Sequence, residues 1–133
     1  MTNTKAGLTI QEVARRTGVS VHTLRYYERI GLLQPIERAT NGHRRYTEQN
    51  VVGIEFLSRL RATGMPIRQM LEYARLVRAG AGNWIERLDL LESHQQTVRE
   101  QMCELTHNLE VIQKKIDLYQ KEIQTSYEDK KTG

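Results

Sequence analysis

From Trp84 onward, large apolar residues recur at alternating steps of four and three. They are Trp84, Leu88, Leu91, Val98, Met102, Leu105, Leu109, Ile112, Ile116, Tyr119 and Ile123, with Gln95 as a polar interruption. Such steps keep one stripe on one face of an α-helix over many heptads. Asn83 is the expected N-cap, with Glu86 at the third position. At 1.5 Å per residue the helix would run about 60 Å, too far for the small N-terminal part to cover. A helix with one apolar stripe and nothing of its own to bury it needs a second chain. The expectation for residues 83–124 is therefore a homodimer through a two-stranded coiled coil. A fold-back and a different partner chain are the alternatives, and the absence of a mid-helix break disfavours the fold-back. Residues 125–133 are polar and are expected to be a disordered tail.

What precedes the stripe differs in charge. Residues 1–80 carry 13 Lys and Arg against 6 Asp and Glu, a net of +7, while residues 81–133 carry 7 against 10, a net of −3. Nearly all the positive charge of the first part is arginine. Arginine suits bidentate contacts to phosphates and base edges better than lysine does.

Within that basic part, residues 8–80 read as a small domain. Thr9 and Glu12 are spaced as a capping box, and Ile10, Val13 and Ala14 form one apolar stripe behind it. Gly18-Val19-Ser20 is a tight turn. Ser20 is the expected N-cap of a second helix, and Gly31 its expected left-handed stop. On that helix His22, Arg25, Tyr26 and Arg29 share a face that is basic and aromatic, while Val21 and Leu24 point to the other side. Two short helices joined by a glycine-containing turn form a helix-turn-helix, whose second helix can enter a DNA major groove. The bland alternative is a surface helix pair with no ligand.

Pro35 stops any helix after Leu32-Leu33-Gln34, and Asn41-Gly42 is a hairpin signal. The flanking residues predict a two-stranded wing, with Arg38, Arg44 and Arg45 able to straddle a phosphate backbone and Tyr46 packed inward. A solvated basic hairpin is the alternative. Thr47 is the expected cap of a third helix, about 48–63, with Val51, Val52, Ile54, Leu57 and Leu60 on its apolar face and Phe56 beside it. Pro66 suits the first turn of a fourth helix, about 66–79, burying Ile67, Met70, Leu71, Ala74 and either Leu76 or Val77.

Several chemistries find no support in the residues. A Gly-rich phosphate loop, a metal-ligand cluster and a paired nucleophile and base are all missing, so no enzyme and no cofactor is expected. His22, His43, His94 and His107 do not make a convincing ligand set. The single cysteine, Cys103, leaves no disulfide framework and fits a reducing cytosol. No signal peptide and no long apolar run is seen, which sets the expectation of a cytoplasmic protein without a membrane partner.

Three segments carry a resemblance: Leu24-Arg25-Tyr26-Tyr27-Glu28, then Gly31-Leu32-Leu33-Gln34-Pro35, then Asn41-Gly42-His43-Arg44-Arg45-Tyr46. Together with the pattern over roughly residues 8–123, they resemble the MerR family of bacterial transcription regulators. Lys115-Ile116-Asp117-Leu118-Tyr119 looks like the aldehyde- and thiol-stress branch of AdhR- and NmlR-like regulators. The resemblance implies a mainly α chain: a winged helix-turn-helix head, then a long helix forming an antiparallel dimeric coiled coil. It implies a homodimer on an inverted repeat in double-stranded promoter DNA, in the overlong spacer between the elements that RNA polymerase recognises. The activated dimer would bend and untwist the DNA to realign those elements, in response to an aldehyde, an electrophile or another small molecule. An architectural coiled-coil DNA binder without an inducer is the rival reading.

Spacing and resemblance together make Ser20, His22, Thr23, Arg25, Tyr26, Tyr27, Arg29, Arg38, His43, Arg44, Arg45 and Arg61 the expected DNA-binding set. Arg25 leads in reading bases, and Arg38, Arg44 and Arg61 hold phosphates. Helical spacing favours Tyr26 as the outward tyrosine and the resemblance favours Tyr27; both are kept, with Tyr27 preferred. For the sensor, the third-helix cysteine of the stress branch is replaced here by the Ser58-Arg59 neighbourhood, so that thiol chemistry does not carry over. Cys103 is the remaining thiol-sensor candidate, or an inert thiol, since it follows Met102 and points off the stripe. Met70, Tyr73 and Trp84 are candidates for an effector pocket, or ordinary anchors between head and coiled coil.

Overall fold

The computed structural model describes residues 7–34 and 45–132. Five helices follow one another: α1 (Ile10–Thr17), α2 (Val21–Arg29), α3 (Glu48–Ala62), α4 (Ile67–Arg78) and α5 (Trp84–Thr132). The chain divides into two compact units, Met1–Leu91 and Glu92–Gly133. The fold class is the one read from the residues: mainly α, with a helix-turn-helix pair near the N-terminus and a long C-terminal helix.

The first unit assembles from locally capped pieces. The Thr9 hydroxyl accepts from the Glu12 amide, and the Glu12 carboxylate accepts from the Thr9 amide, closing the capping box of α1. Both groups satisfy amides that the first helical turn leaves open. Helix α1 ends on Gly18, at φ 75°, whose amide donates to the Ala14 carbonyl. A side chain resists that backbone conformation, so glycine makes the tight turn into α2 inexpensive. Ser20 then caps α2. Thr47 caps α3, and Asn50 completes a second capping box there.

The core is assembled from one face of each piece. Ile10 and Val13 of α1, Leu24 and Tyr27 of α2, and Val51, Ile54, Leu57 and Leu60 of α3 are buried. Met70, Ala74 and Leu76 of α4 are buried as well, joined by Val19, Leu32, Tyr46 and Met65 from the connections. Each large apolar side chain removed from water in this way contributes about 1.5–3 kcal/mol. Leu76, not Val77, is the inward residue at the end of α4. Val52 was expected on the inner face of α3 but is mostly exposed. It lies 100° around the helix from Val51, and Val51, Ile54, Leu57 and Leu60 already fill the buried sector. Pro66 occupies the N-cap position of α4 instead of its first turn.

The predicted wing, with Pro35, Arg38, Asn41, Gly42, His43 and Arg44, lies outside the described residues. At its downstream flank Tyr46 is fully buried and pairs antiparallel with Leu8 through backbone hydrogen bonds of 2.7 and 2.8 Å. A bidentate ion pair, Arg16 to Glu48 at 2.7 and 2.8 Å, ties α1 to the start of α3.

The joint between α4 and α5 is built differently from the expected cap. The Asn83 side chain does not close on the first amides of α5. Its Nδ2 donates to the Leu76 carbonyl at 2.7 Å, and its Oδ1 accepts from Arg87 Nε at 2.8 Å. Arg87 Nη2 reaches the carbonyls of Leu76, Val77 and Gly80. The open carbonyls at the end of α4 are thus taken by side chains from α5, which meets the same need as a cap from the other side. Leu90 and Leu91 then pack against the core.

The second unit is helix throughout, to Thr132. The sequence reading ended the helix near residue 124. Glu and Lys are ordinary helix formers, Gln124 bonds Glu128 at i, i+4, and Lys130 and Lys131 suit the negative end of the helix dipole, so the helix continues. In this unit Met102, Leu105, Leu109, Ile112, Ile116, Tyr119 and Ile123 are all exposed.

Candidate nucleic-acid interface

Helix α2 presents the face that its spacing predicted. His22, Arg25 and Arg29 are exposed, and Tyr26 is 37% exposed against 5% for Tyr27. Tyr26 is thus the more outward of the two, as helical spacing favoured, while the ring of Tyr27, the contact preferred by resemblance, is buried. Tyr27 lies one step round toward Leu24, and the core that needs Leu24 claims its ring as well. The two rings still touch, with centroids 6.2 Å apart. The Arg29 guanidinium lies 5.6 Å from the centre of the Tyr26 ring, a cation–π contact that orders both side chains on the surface.

Ser20 and Thr23 have other work. The Ser20 hydroxyl accepts from the Thr23 amide at 3.0 Å, and the two hydroxyls lie 2.9 Å apart in a hydrogen bond. They hold the first turn of α2, and its open amides lie at the end of the helix nearest the inter-helix turn. At the other end the amides of Leu32 and Leu33 both return to the Tyr27 carbonyl, and Gly31, at φ 87°, makes the reversal.

The remaining candidates lie on other elements. Arg61 is exposed, and its Nη1 donates to the Met65 carbonyl at 3.3 Å, steadying a guanidinium that keeps further donors. Arg45 is half-buried. Its stem lies against Gly7, where any side chain would collide with it, and its Nε is buried without a hydrogen-bond partner among the described residues. That makes Arg45 as much a packing residue as a surface charge. Arg38, His43 and Arg44 lie outside the described residues.

The three residues expected to line an effector pocket have different surroundings. Met70 is fully buried in the core, while Trp84 is mostly exposed with the Arg87 guanidinium 4.4 Å from its ring centre. Tyr73 lines a cavity of about 590 Å³ between α3 and α4, beside Leu33, Val52, Phe56, Val77 and Arg78. Its ring is 5.6 Å from that of Phe56. Cys103 is exposed on α5. Among the described residues, no group of three or more His, Cys, Asp and Glu is placed to hold a metal ion, and no helix is long and apolar enough to cross a membrane.

Three carboxylates of the first unit are held by hydrogen bonds. The Thr9 amide and hydroxyl lower the pKa of Glu12, and the Arg16 guanidinium lowers that of Glu48. Glu72 is lowered by Arg75 in the same way. Sequence reasoning missed Arg16, Arg78 and Arg87 as structural groups. Only the i, i+4 spacing of Asn83 and Arg87 offered a local signal, since the other partners lie 32 and 47 residues away.

Comparison with known proteins places this geometry. Residues 9–46 match the model of the MerR family regulatory proteins. An uncharacterised HTH-type transcriptional regulator of Haemophilus influenzae is 33% identical over 113 residues, covering 85% of this chain and 84% of that protein. The HTH-type transcriptional regulator AdhR of Bacillus subtilis is 36% identical over 93 residues, covering 70% of this chain and 66% of AdhR. The crystal structure of HiNmlR, a MerR family regulator lacking the sensor domain and bound to promoter DNA, superposes with a TM-score of 0.79 at 32% identity, over 85% of this chain and 86% of that one. With its helix-turn-helix head, long C-terminal helix and identity along most of their length to these regulators, the chain belongs to the MerR family of transcriptional regulators.

Proposed function

We propose that this chain is a sequence-specific DNA-binding regulator that acts as a homodimer on an inverted repeat in a promoter spacer. The observation that carries the reading is the outward face of α2. His22, Arg25, Tyr26 and Arg29 are exposed together on a helix capped at its start and closed at its end. A helix of this kind fits the major groove, where arginine pairs with guanine O6 and N7. Arg25 reads bases, and Arg29, Tyr26 and Arg61 serve the backbone. Arg38, His43 and Arg44 join them on sequence grounds. The promoter DNA bound by HiNmlR supports the same ligand for this chain.

The exposed stripe of α5 supports the dimer, and an inverted repeat is the matching symmetry for two copies. Regulation then works through DNA shape: the dimer distorts the spacer and changes how RNA polymerase meets its two elements, in response to a stress signal.

Selection of bound duplexes from a random pool tests this reading. The expected outcome is an enriched inverted repeat, with Arg25→Ala losing about tenfold of its preference at one base position per half-site. Binding that fades with salt and enriches no sequence would leave an architectural DNA binder instead.

A further inference from the structure

The helices of the first unit pack in series: α2 against α1, α1 against α3, and α3 against α4. A charged side chain adds a direct polar tie between the two ends of this series. Arg78, the last residue of α4, donates from Nη2 to the carbonyl of Gly31 at 2.6 Å. The amides in the turn after α2 are already spent. Ile30 bonds Tyr26, Gly31 bonds Glu28, and Leu32 and Leu33 both bond Tyr27. The Gly31 carbonyl faces away from these bonds, and the guanidinium of Arg78 takes it. A cation there also suits the negative end of the α2 dipole.

The backbone on either side of Arg78 is held in turn by α5. Arg87 Nη2 lies 3.3 Å from the Leu76 carbonyl, 3.4 Å from that of Val77 and 2.8 Å from that of Gly80, and Asn83 holds Leu76 as well. Arg87 thus braces the backbone on both sides of Arg78, and Arg78 in turn bonds the turn that follows the helix carrying Arg25 and Arg29.

We infer that Arg78 is a positioning residue for DNA recognition, which fixes the α2 reading face against the α4–α5 joint without touching DNA itself. The inference rests on the proposed DNA-binding role of α2. Without Arg78, the place of α2 relative to α4 rests on the apolar packing of Leu24, Tyr27 and Leu32 in the shared core, which is less directional than a charged hydrogen bond. A reading helix loosened in this way still meets phosphates but loses the register that base contacts require.

The test uses the full chain and the duplex returned by selection, beside a scrambled duplex of the same length. Arg78→Gln is expected to reduce the preference for the selected duplex about fivefold, the charged hydrogen bond being lost. The slope of log affinity against log salt should not change, and Arg78→Lys, which restores a donor and a charge, should recover most of the preference. Arg75→Gln on the same helix, whose guanidinium bonds Glu72, should leave preference unchanged.

Three outcomes overturn the inference. A uniform loss on both duplexes, with the salt slope reduced by about 0.9, makes Arg78 a phosphate contact. A lowered melting temperature with intact preference makes it a brace for stability alone. No change in either makes the hydrogen bond idle. If Arg78→Gln does not fold, Arg78→Ala is read in its place, and a preference equal to that of Arg75→Gln overturns the inference. Failure of the selection to enrich any duplex would instead strike at the reading of α2 as a sequence reader.

Discussion

The two units use the same apolar residues to opposite effect. In the first, Leu24, Ile54 and Met70 are all but sealed from water. In the second, Leu105, Leu109 and Ile112 are more than half exposed. The difference lies in what surrounds each stripe. The apolar faces of α1 to α4 close on one another and on Tyr46, so the first unit is stable by its own contacts. Within the second unit, local pairs such as Gln96 with Glu100 and Gln113 with Asp117 contribute about 0.2–0.5 kcal/mol each. Pairs of that size do not repay the ordering of some forty residues. The exposed heptad stripe is the surface that the proposed dimer buries.

Three changes break or sharpen this contrast. The largest effect belongs to the first unit. Leu24→Ala empties a fully buried site beneath the reading face and should cost about 3 kcal/mol, seen as a fall in the denaturant midpoint. Unchanged stability would mean that the core is not organised around α2. Next is the stripe. Ile112→Glu places a charge on the proposed seam of both copies and should weaken dimerisation about a hundredfold, close to 2.7 kcal/mol, by sedimentation equilibrium. Far-ultraviolet dichroism of the first unit's helices should survive at concentrations where the copies separate. A dimer of undiminished strength would place the interface elsewhere.

The smallest effect is a pH dependence confined to the first unit. Arg16 lowers the pKa of Glu48, so the pair adds stability that is present above the ordinary carboxylate range, about 4, and is lost as pH falls through the lowered value of Glu48. Both side chains are exposed, so the contribution is small and screened by salt. Thermal melts of wild type and Arg16→Gln should differ at neutral pH and converge in acid. Parallel curves across that range would remove the Arg16–Glu48 pair from the account.

Much of the architecture was legible in short-range patterns. Thr9 with Glu12, Ser20, Gly18, Gly31 and Thr47 announced where helices begin and end, because caps and left-handed stops are formed by residues three or four apart. The stripe of α5 and the basic face of α2 were legible for the same reason, helical period being a local property. The extent of α5 was less so, since Glu, Lys and Gln serve a helix and a disordered tail equally well, and α5 runs on to Thr132.

The sequence alone determined the helix order, the caps, the apolar stripes and the arginine-rich face of α2, each written in residues within a few turns of one another. Only the tertiary structure decided that Val52 is exposed and that Arg45 packs on Gly7. It alone showed that Met70 is buried, that Trp84 is mostly exposed and that Tyr73 lines a cavity. The same holds for Arg16 on Glu48 and Arg78 on Gly31, which join residues 32 and 47 apart. Such contacts depend on which faces the packed helices turn toward one another, and no period within a single helix encodes that choice.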